Sequence, residues 1–566
     1  MKLATAAPAL LALALALAVP TLVGADATQL GIGYICGAEH DVTPKATAAV
    51  MLPGVGNGAS PADTANAQAQ AWYNEGLNLY HAFNHNEAIA AFAKGASLDP
   101  KCALCEWGVA LSLGSTLNYG ITPDQIALAR THAEAARKLV KPGDARAQAL
   151  IEALLVRYDK DKADRDVLFS KAMDDIARRY PADDEIANLT AQALMIPSRG
   201  GIPANNARAL ELIKAVLARR PDDTAAIHYY IHATEFVDRP ADALPYAERL
   251  AGLAPGASHL VHMAAHTLMH VGQYEQVAIV DAQALKVDAD MEKRFALQGP
   301  LSAQMYYLHN YTFGLAGALM SGDGKLALKY ADHADIAFPA GDKTPVALPS
   351  GLTRSESAPD RRTTATSKAL VAYGRYEPSK ALALKEQPGD PRIVKIYRHY
   401  ARGEAFASRG DAAGVRVEAD AISALVAEAT KASEPGSMSI GGIASDVLAG
   451  RAALLDHQPD KAAALFAKAA ASQDKTYPVN KNFDPPPWWY PVRRSLAAAD
   501  LKAGKNADAV REATASLKDW PDDALALRVL AAAEAGLGQM DASRKHTAQA
   551  FRDWRGDLQK APLNLT

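Results

Sequence analysis

The stretch that decides the fold is QAWYNEGLNLYHAFNHNEAIAAFAKGASLDP, residues 70–100. Small residues, Gly76 and Ala88, stand where two antiparallel helices must approach closely, and Trp72 and Phe92 are large enough to fill the space between them. The final proline has no backbone N–H and therefore ends the second helix. The segment predicts a helical hairpin of the kind that stacks into a repeat array.

A second pattern lies in the middle of the chain, where residues 228–309 hold seven of the 15 histidines. His228 and His232 are four residues apart, as are His262 and His266. At about 100° per residue, each pair lies on one face of a helix. The second pair follows the first after 34 residues, from 228 to 262 and from 232 to 266. The two pairs should therefore occupy equivalent positions in consecutive repeats.

Similar helical units, without the alternation typical of strands, extend over most of the chain. Three of them are regular, at 224–255, from 258 to about 290, and from 308 onward. The predicted organisation is a signal peptide (1–25), an irregular lead-in (26–64), an N-terminal solenoid with a histidine-rich groove (65–339), an irregular loop long enough to be a lid (340–366), further helical repeats (367–472), and an extended Pro/Trp arm with C-terminal repeats (473–566).

These units resemble the tetratricopeptide repeat (TPR) superfamily, whose period is 34 residues. More narrowly, the chain is similar to a group of exported bacterial TPR proteins with strings such as LYHAF, HYYIHAxE, HLVHMxxH and YxxHN. Here these strings stand at residues 79–83, 228–235, 259–266 and 306–310. The resemblance implies an all-α, right-handed superhelix of helix pairs in which the first helix of each pair lines a concave groove. It implies no particular activity.

The groove positions of three neighbouring repeats would carry the histidines and one acid. Glu235 is a candidate ligand, bridge or general base. The chain departs from the family strings twice, since Thr312 replaces a histidine and His270 replaces an arginine. His81 and His85 would approach this region only if the superhelix curled fully round, and a surface or helix-packing pair is the preferred interpretation for them. The candidate metal ligands are His228, His232, His259, His262, His266, His270 and His309.

Such a cluster of imidazoles favours metal binding. Protonated imidazoles repel one another and neutral ones need hydrogen-bond partners, whereas a metal ion satisfies both requirements. Seven histidines exceed one tetrahedral set, so one or two metal ions per chain are expected, with the surplus orienting the ligands. Copper is slightly favoured over iron or zinc because export to an oxidising compartment is expected. Two alternatives stay open: stacking on neighbouring tyrosines without metal, and protonated histidines that hold an anionic peptide or small acid.

The N-terminus predicts export. Lys2, the apolar run 9–18 and small residues near 23–27 indicate a secretory signal peptide, so the protein should be periplasmic or secreted from a bacterium. No later run reaches the roughly 18 apolar residues of a membrane span. A net charge of −3 provides no electrostatic basis for nucleic-acid binding. Phosphate-loop, HExxH and GxSxG motifs are absent, which disfavours a nucleophilic hydrolase.

The three cysteines are Cys36, Cys102 and Cys105. An oxidising compartment favours a disulfide and leaves one thiol over. A bridge from Cys36 to one of the other two, or plain packing, is the preferred interpretation. A redox pair, a metal clip or a local disulfide between Cys102 and Cys105 is the alternative.

Together these features predict an exported TPR-type solenoid with a polyhistidine metal site in its groove. The preferred function is a metal-dependent oxidoreductase that uses copper or iron on a small molecule, because many imidazoles and few carboxylates suit that chemistry. Fold alone does not imply function. A non-catalytic scaffold that binds a protein or peptide, and a periplasmic metal-delivery protein, are the alternatives. Imidazoles more than about 8 Å apart would exclude a shared metal centre, since metal–imidazole bonds are about 2.0–2.1 Å long.

Overall fold

The protein is described by a computed structural model. The predicted signal peptide, Cys36 and most of the 340–366 loop lie outside the described residues, as does the part of the lead-in before residue 49. The described residues are 49–118, 120–121, 123–159, 161–197, 201–295, 305–337, 346–347, 353–354, 358–478 and 485–558.

The N-terminal and central part consists of consecutive α-helices. The first fourteen are α1 Ala67–His81, α2 His85–Leu98, α3 Ala103–Ser112, α4 Pro123–Leu139, α5 Ala145–Arg157, α6 Arg165–Arg179, α7 Asp184–Met195, α8 Pro203–Arg219, α9 Thr224–Phe236, α10 Leu244–Leu253, α11 Ser258–His270, α12 Tyr274–Phe295, α13 Met305–Ser321 and α14 Gly324–Ala337.

The C-terminal part continues the same pattern. Two strands of two residues each, β1 Val346–Ala347 and β2 Thr353–Arg354, pair antiparallel within the predicted irregular loop, where the sequence predicted no strand. The remaining helices are α15 Ala358–Tyr376, α16 Pro378–Ala383, α17 Arg392–Ser408, α18 Ala412–Ala432, α19 Pro435–Leu455, α20 Pro459–Thr476, α21 Val492–Lys502, α22 Asn506–Asp519, α23 Ala524–Gly536 and α24 Met540–Asp553.

Local sequence signals define the helix boundaries. Asp223 caps α9 by accepting a hydrogen bond from the amide of Ala226, and this removes one of the unsatisfied donors at a helix start. In several hairpins, the turn after the first helix contains one residue in the left-handed conformation, and Gly272 (φ 81°) and Gly322 (φ 73°) supply it after α11 and α13. The regular hairpins therefore follow from caps and turn residues that recur along the chain.

The architecture is a helical-repeat solenoid, because each helix packs mainly on the helices that precede and follow it in sequence. The all-α fold class predicted from the sequence is confirmed. Most of the buried apolar side chains form two large clusters, which meet at α12 and α13.

Both ends of the described chain fold back onto the central repeats. At the N-terminal end, the amide of Gly256 donates to the carbonyl of Gly54 (2.8 Å), and α1 contacts α9. At the C-terminal end, the amide of Arg555 donates to the carbonyl of Ser321 (2.9 Å). The helices α9, α11 and α13 are therefore enclosed between the two ends.

Some boundaries differ from the predicted ones. Helix α15 begins at Ala358 rather than near residue 367, because Thr363 and Ala365 are buried, and packing outweighs the weak helix propensity of threonine. Helix α20 continues to Thr476, past the predicted end at 472.

The disulfide also differs from the preferred expectation. Cys102 and Cys105 are bonded to each other, because the start of α3 brings their Cα atoms to 5.3 Å, a distance that a disulfide spans. No bridge to Cys36 is therefore available to either of them.

One helix in the described part, α19, is long and apolar enough to cross a membrane by length and composition alone. It contacts α17, α18 and α20 as other repeat helices do, and about half of its apolar window (56%) is buried inside the protein. Its hydrophobicity is accounted for by the repeat packing.

Candidate metal centre

The structure gathers six of the seven predicted histidines into two groups of three. We name the first triad His228, His232 and His259, and the second triad His262, His266 and His309. Within each triad, the nitrogen atoms that could bind a metal all lie within 4.8 Å of one another. All six side chains are buried. The described part of the chain therefore contains two sites that could each hold a metal ion.

The helical repeat explains both triads. In each case, two histidines four residues apart project from one face of a helix, and the third comes from the first helix of the next repeat. Helix α9 supplies the pair of the first triad, α11 supplies its third member and also the pair of the second triad, and α13 supplies His309. Since α11 contributes to both, the triads adjoin.

Distances between the rings meet the requirement derived from the sequence. The ring centroids of His228 and His232 are 5.0 Å apart. Those of His262 and His266 are 4.9 Å apart. Across the two triads, the rings of His232 and His266 lie 6.0 Å apart. Every one of these separations is shorter than the limit of about 8 Å.

In each triad, the Nε2 atoms of two histidines approach each other. His259 Nε2 lies 3.2 Å from His228 Nε2, and His266 Nε2 lies 3.3 Å from His309 Nε2. Two nitrogen ligands of one tetrahedral ion are about 3.3–3.4 Å apart when each bond is about 2.0–2.1 Å. A hydrogen bond from one Nε2–H to the other nitrogen would span the same distance. The Nε2 distances alone therefore do not distinguish a metal site from a hydrogen-bonded pair of histidines. The hydrogen-bond partners of the outer Nδ1 atoms are more informative on this point.

Three Nδ1 atoms have oxygen partners on the outside of the cluster. His228 Nδ1–H donates to the backbone carbonyl of His81 (2.6 Å), and His266 Nδ1–H donates to Glu235 Oε1 (3.0 Å). His262 Nδ1 shares a hydrogen bond with Asp281 Oδ1 (2.6 Å). A carbonyl only accepts, so the proton of neutral His228 is fixed on Nδ1 and its Nε2 lone pair faces inward. Histidines that bind metals are oriented in this way.

Burial disfavours the charged form of most of the triad histidines. It lowers the pKa of His228, His232, His259, His262 and His309, and the neighbouring imidazoles lower it further, as in His228 beside His232 and in His262 beside His309. Moreover, the Nε2 atoms of His232 and His262 are buried and make no hydrogen bond within the described part of the chain. A buried polar atom without a hydrogen bond is costly, and a bound cation would remove that cost. Neutral imidazole is the form that binds metals, so a lowered pKa favours metal binding by these five histidines.

Glu235 lies on the outer side of the triads rather than among the converging Nε2 atoms. Its Oε1 accepts from His266, and its Oε2 lies 3.6 Å from His232 Nδ1, beyond hydrogen-bond distance. Burial raises its pKa, but His266 and His232 lower it more, so the net pKa falls below the usual range of a glutamate. Glu235 thus contacts the outer Nδ1 of His266, and its expected role as a ligand, bridge or general base stays a prediction.

His270 belongs to neither triad. Its Nε2 lies 3.7 Å from Glu235 Oε1, and its side chain is 21% exposed. It stands one turn beyond His266, where α11 reaches the edge of the repeat array. His270 therefore stays a predicted ligand that lies outside both triads.

A phenylalanine ring packs against each triad. The sequence patterns did not predict these two contacts. The Phe83 ring lies 4.5 Å from that of His228 and 5.0 Å from that of His259. The Phe313 ring lies 4.9 Å from that of His262. Phe83 has φ 58° and occupies the turn position that Gly272 fills after α11. The sequence signal that could have indicated the role of Phe83 is an aromatic residue at a turn position where another repeat has glycine.

The first repeat takes part in the site. His81 supplies the carbonyl for His228, and its ring contacts Tyr229 Oη (2.8 Å) and Glu185 (2.9 Å). His85 stacks on Phe83. The solenoid therefore curls far enough for residues about 150 apart in sequence to meet, which the preferred interpretation of this pair did not include.

The triad histidines are buried, and His232 is the most exposed of them. His270, outside the triads, is more exposed than His232. Solvent therefore comes nearest to the cluster at the C-terminal ends of α9 and α11.

The fold and the site together define an all-α helical-repeat protein with two buried histidine triads that could hold metal ions. No family model and no curated protein sequence matches the chain.

Several solved structures are similar at low sequence identity. The TPR domain of P58(IPK) is 14% identical, with 67% of this chain and 95% of that chain covered and a TM-score of 0.21. The human IFIT1 dimer with m7Gppp-AAAA is 13% identical, with coverages of 85% and 94% and a TM-score of 0.28. A monomeric IFIT1 mutant with Gppp-AAAA is 12% identical, with coverages of 84% and 95% and a TM-score of 0.30. Because these TM-scores are low, the fold assignment rests on the helix order and packing of this chain.

Proposed function

We propose that the protein is a metal-dependent oxidoreductase whose two histidine triads bind a pair of copper ions. The observation that carries the proposal is that two adjoining triads each hold three candidate ligand nitrogens within 4.8 Å of one another, with the Nδ1 protons of His228 and His266 directed to oxygen acceptors. Each triad offers three imidazole nitrogen donors and no thiolate. Imidazole ligands suit copper, iron and zinc, and the absence of an inner carboxylate favours copper over iron.

Two adjacent ions suit a two-electron oxidation. A pair of bound copper ions would supply a two-electron oxidation of a small organic substrate, with dioxygen as the final acceptor of the two electrons and two protons and hydrogen peroxide as the product. The rings of His232 and His266, one from each triad, lie 6.0 Å apart, so these residues would hold the two ions in adjoining sites.

Burial of the triads favours this proposal over the two alternatives. A peptide-binding scaffold needs its recognition residues on an open groove, and a delivery protein needs a site that exchanges metal at the surface. The triad histidines are instead 0–8% exposed. A closed site excludes water and limits unproductive release of reactive products.

Export from a bacterial cell, indicated by the N-terminal apolar run, is part of the proposal. In the periplasm or outside the cell, dioxygen would be available to the site.

Elemental analysis of protein purified without a histidine tag is the direct test. The His228→Ala/His262→Ala variant removes one ligand from each triad. We expect about two copper ions per chain in the wild type and fewer than about 0.2 in the variant, because losing one of three ligands leaves too few for tight binding. Dioxygen uptake with small organic reductants should be lost in the same variant.

A matched control is the His132→Ala/His399→Ala variant. These histidines pair with Glu106 and Glu418, outside both triads. We expect it to keep the metal content of the wild type. Metal-free wild-type protein that also binds no added copper, or equal loss of metal in both double variants, would contradict the proposal.

A further inference from the structure

The two triads have different surroundings on their Nδ1 side. In the second triad, two histidines face carboxylates at hydrogen-bond distance, His262 with Asp281 (2.6 Å) and His266 with Glu235 (3.0 Å). In the first triad, the only hydrogen-bond acceptor at that distance in the described part of the chain is the neutral carbonyl of His81, on His228. The other carboxylate oxygen of Glu235 stays 3.6 Å from His232. The carboxyl groups at hydrogen-bond distance from a triad Nδ1 atom therefore all belong to the second triad's surroundings, within the described part of the chain.

This asymmetry matters because the site is buried. Moving a cation from water into the protein interior carries a large desolvation cost, and a nearby carboxylate offsets part of it. A carboxylate on the outer nitrogen also makes the imidazole a stronger donor to the metal. Loss of such an outer partner typically reduces metal affinity 10–100-fold.

From this geometry we infer that the two triads bind metal in a fixed order, with the second triad filled first and at least about tenfold more tightly. The inference rests on the proposed binuclear metal site and adds the order of loading. Asp281 and Glu235 act as positioning residues, since both contact ligands through Nδ1 rather than facing the converging Nε2 atoms. Once the second triad is occupied, the charge of its ion further weakens binding at the first triad.

Helix α12 supplies a natural control for the role of Asp281. Asp288 lies two turns further along the same helix and is also buried. It accepts hydrogen bonds from Ser258 and from Asn310 Nδ2, but from no histidine of either triad. Replacing either aspartate by asparagine removes one buried carboxyl group at nearly unchanged volume, and only one of the two changes touches a triad.

The test is a calorimetric titration of chelator-treated full-length protein with Zn²⁺ alone. We expect two binding steps separated by at least tenfold in Kd. His262→Ala should remove the tighter step, and His228→Ala should remove the weaker one. Asp281→Asn should weaken the tighter step 10–100-fold. Asp288→Asn should leave both steps within about threefold of the wild type, since it contacts no ligand.

The possible outcomes separate this inference from the proposed function. Two steps of equal affinity, loss of the tighter step in His228→Ala, or equal effects of Asp281→Asn and Asp288→Asn would overturn the order of loading and leave the metal site standing. Wild-type protein that binds no Zn²⁺ and no Cu⁺ would overturn both. Circular dichroism of each metal-free variant checks folding. If Asp281→Asn does not fold, Glu235→Gln tests the same triad through His266 and should weaken the tighter step more than the weaker one.

Discussion

The central and C-terminal repeats share one helical architecture but bury polar groups in opposite ways. In the C-terminal repeats, Arg451 and Arg375 contact the two oxygens of Glu404, and Arg494 contacts both oxygens of Asp523 (3.1 Å each). Each of these buried charges therefore has an opposite charge beside it. In the central repeats, six buried imidazoles face one another with the nearest carboxylates on their outer side.

The difference separates buried polar groups that are compensated within the fold from those that are not. A buried ion pair compensates its own charges, and its role is structural. The inward Nε2 atoms of the triads are not compensated in this way, and a bound cation would compensate them. The repeat architecture is the same in both regions, so the functional hypothesis depends on side chains that repeat packing does not require.

Breaking a matched pair should have the largest effect on stability. Glu404→Ala removes the carboxylate from Arg451 and leaves that guanidinium buried without its counter-charge. We expect the free energy of unfolding to fall by about 3–5 kcal/mol, measured by denaturant titration, while the metal content per folded chain stays unchanged. Asp474→Ala breaks an exposed pair with Arg493 and should cost less than about 1 kcal/mol. Similar losses in the two variants would show that the buried pair has no special structural role.

Much of the fold could be predicted from the sequence because its signals are local. The spacing of small and large residues around Gly76 and Phe92 predicts a hairpin, and the observed Gly76 position indeed lies against the Phe92 ring. The 34-residue shift between histidine pairs predicts equivalent positions in neighbouring repeats, and α9 and α11 begin at 224 and 258. Such patterns depend on residues close together in the chain.

The rest of the site depends on long-range packing, which spacing does not encode. The carbonyl of His81 reaches His228 only because the solenoid closes on itself, and Asp281 faces His262 only because α12 packs inward against α11. The Cys102–Cys105 bond was one of several possible pairings, and the geometry at the start of α3 selects it.

A buried carboxyl group without a cationic partner should respond to pH in a way that the matched pairs do not. Glu87 is buried, and burial raises its pKa from 4.5 to about 7. Between these values the unfolded chain releases the proton while the folded protein keeps it, so the free energy of unfolding falls as pH rises. A shift of this size corresponds to roughly 3 kcal/mol once the pH exceeds 7.

Glu87→Gln should remove this contribution, and its stability should fall less than that of the wild type between pH 4.5 and 7. Denaturant titrations at several pH values measure the difference. Burial also raises the pKa of Asp288 to about 7, so part of the wild-type slope should survive in the variant. Equal slopes for the wild type and Glu87→Gln would show that Glu87 is ionised in the folded protein at neutral pH.

The effect of added metal on stability is the most direct way to distinguish the histidine triads from the buried ion pairs. An ion that binds only the folded state stabilises it by about 2.7 kcal/mol when its free concentration is 100 times its Kd. Added Zn²⁺ should therefore raise the unfolding midpoint of metal-free wild-type protein but not that of His228→Ala/His262→Ala. Glu404→Ala should gain the same increment as the wild type, although it starts from lower stability, because Glu404 contacts neither triad. An equal increase in midpoint in the histidine variant would place metal binding elsewhere and leave the triads as hydrogen-bonded imidazoles within the helical core.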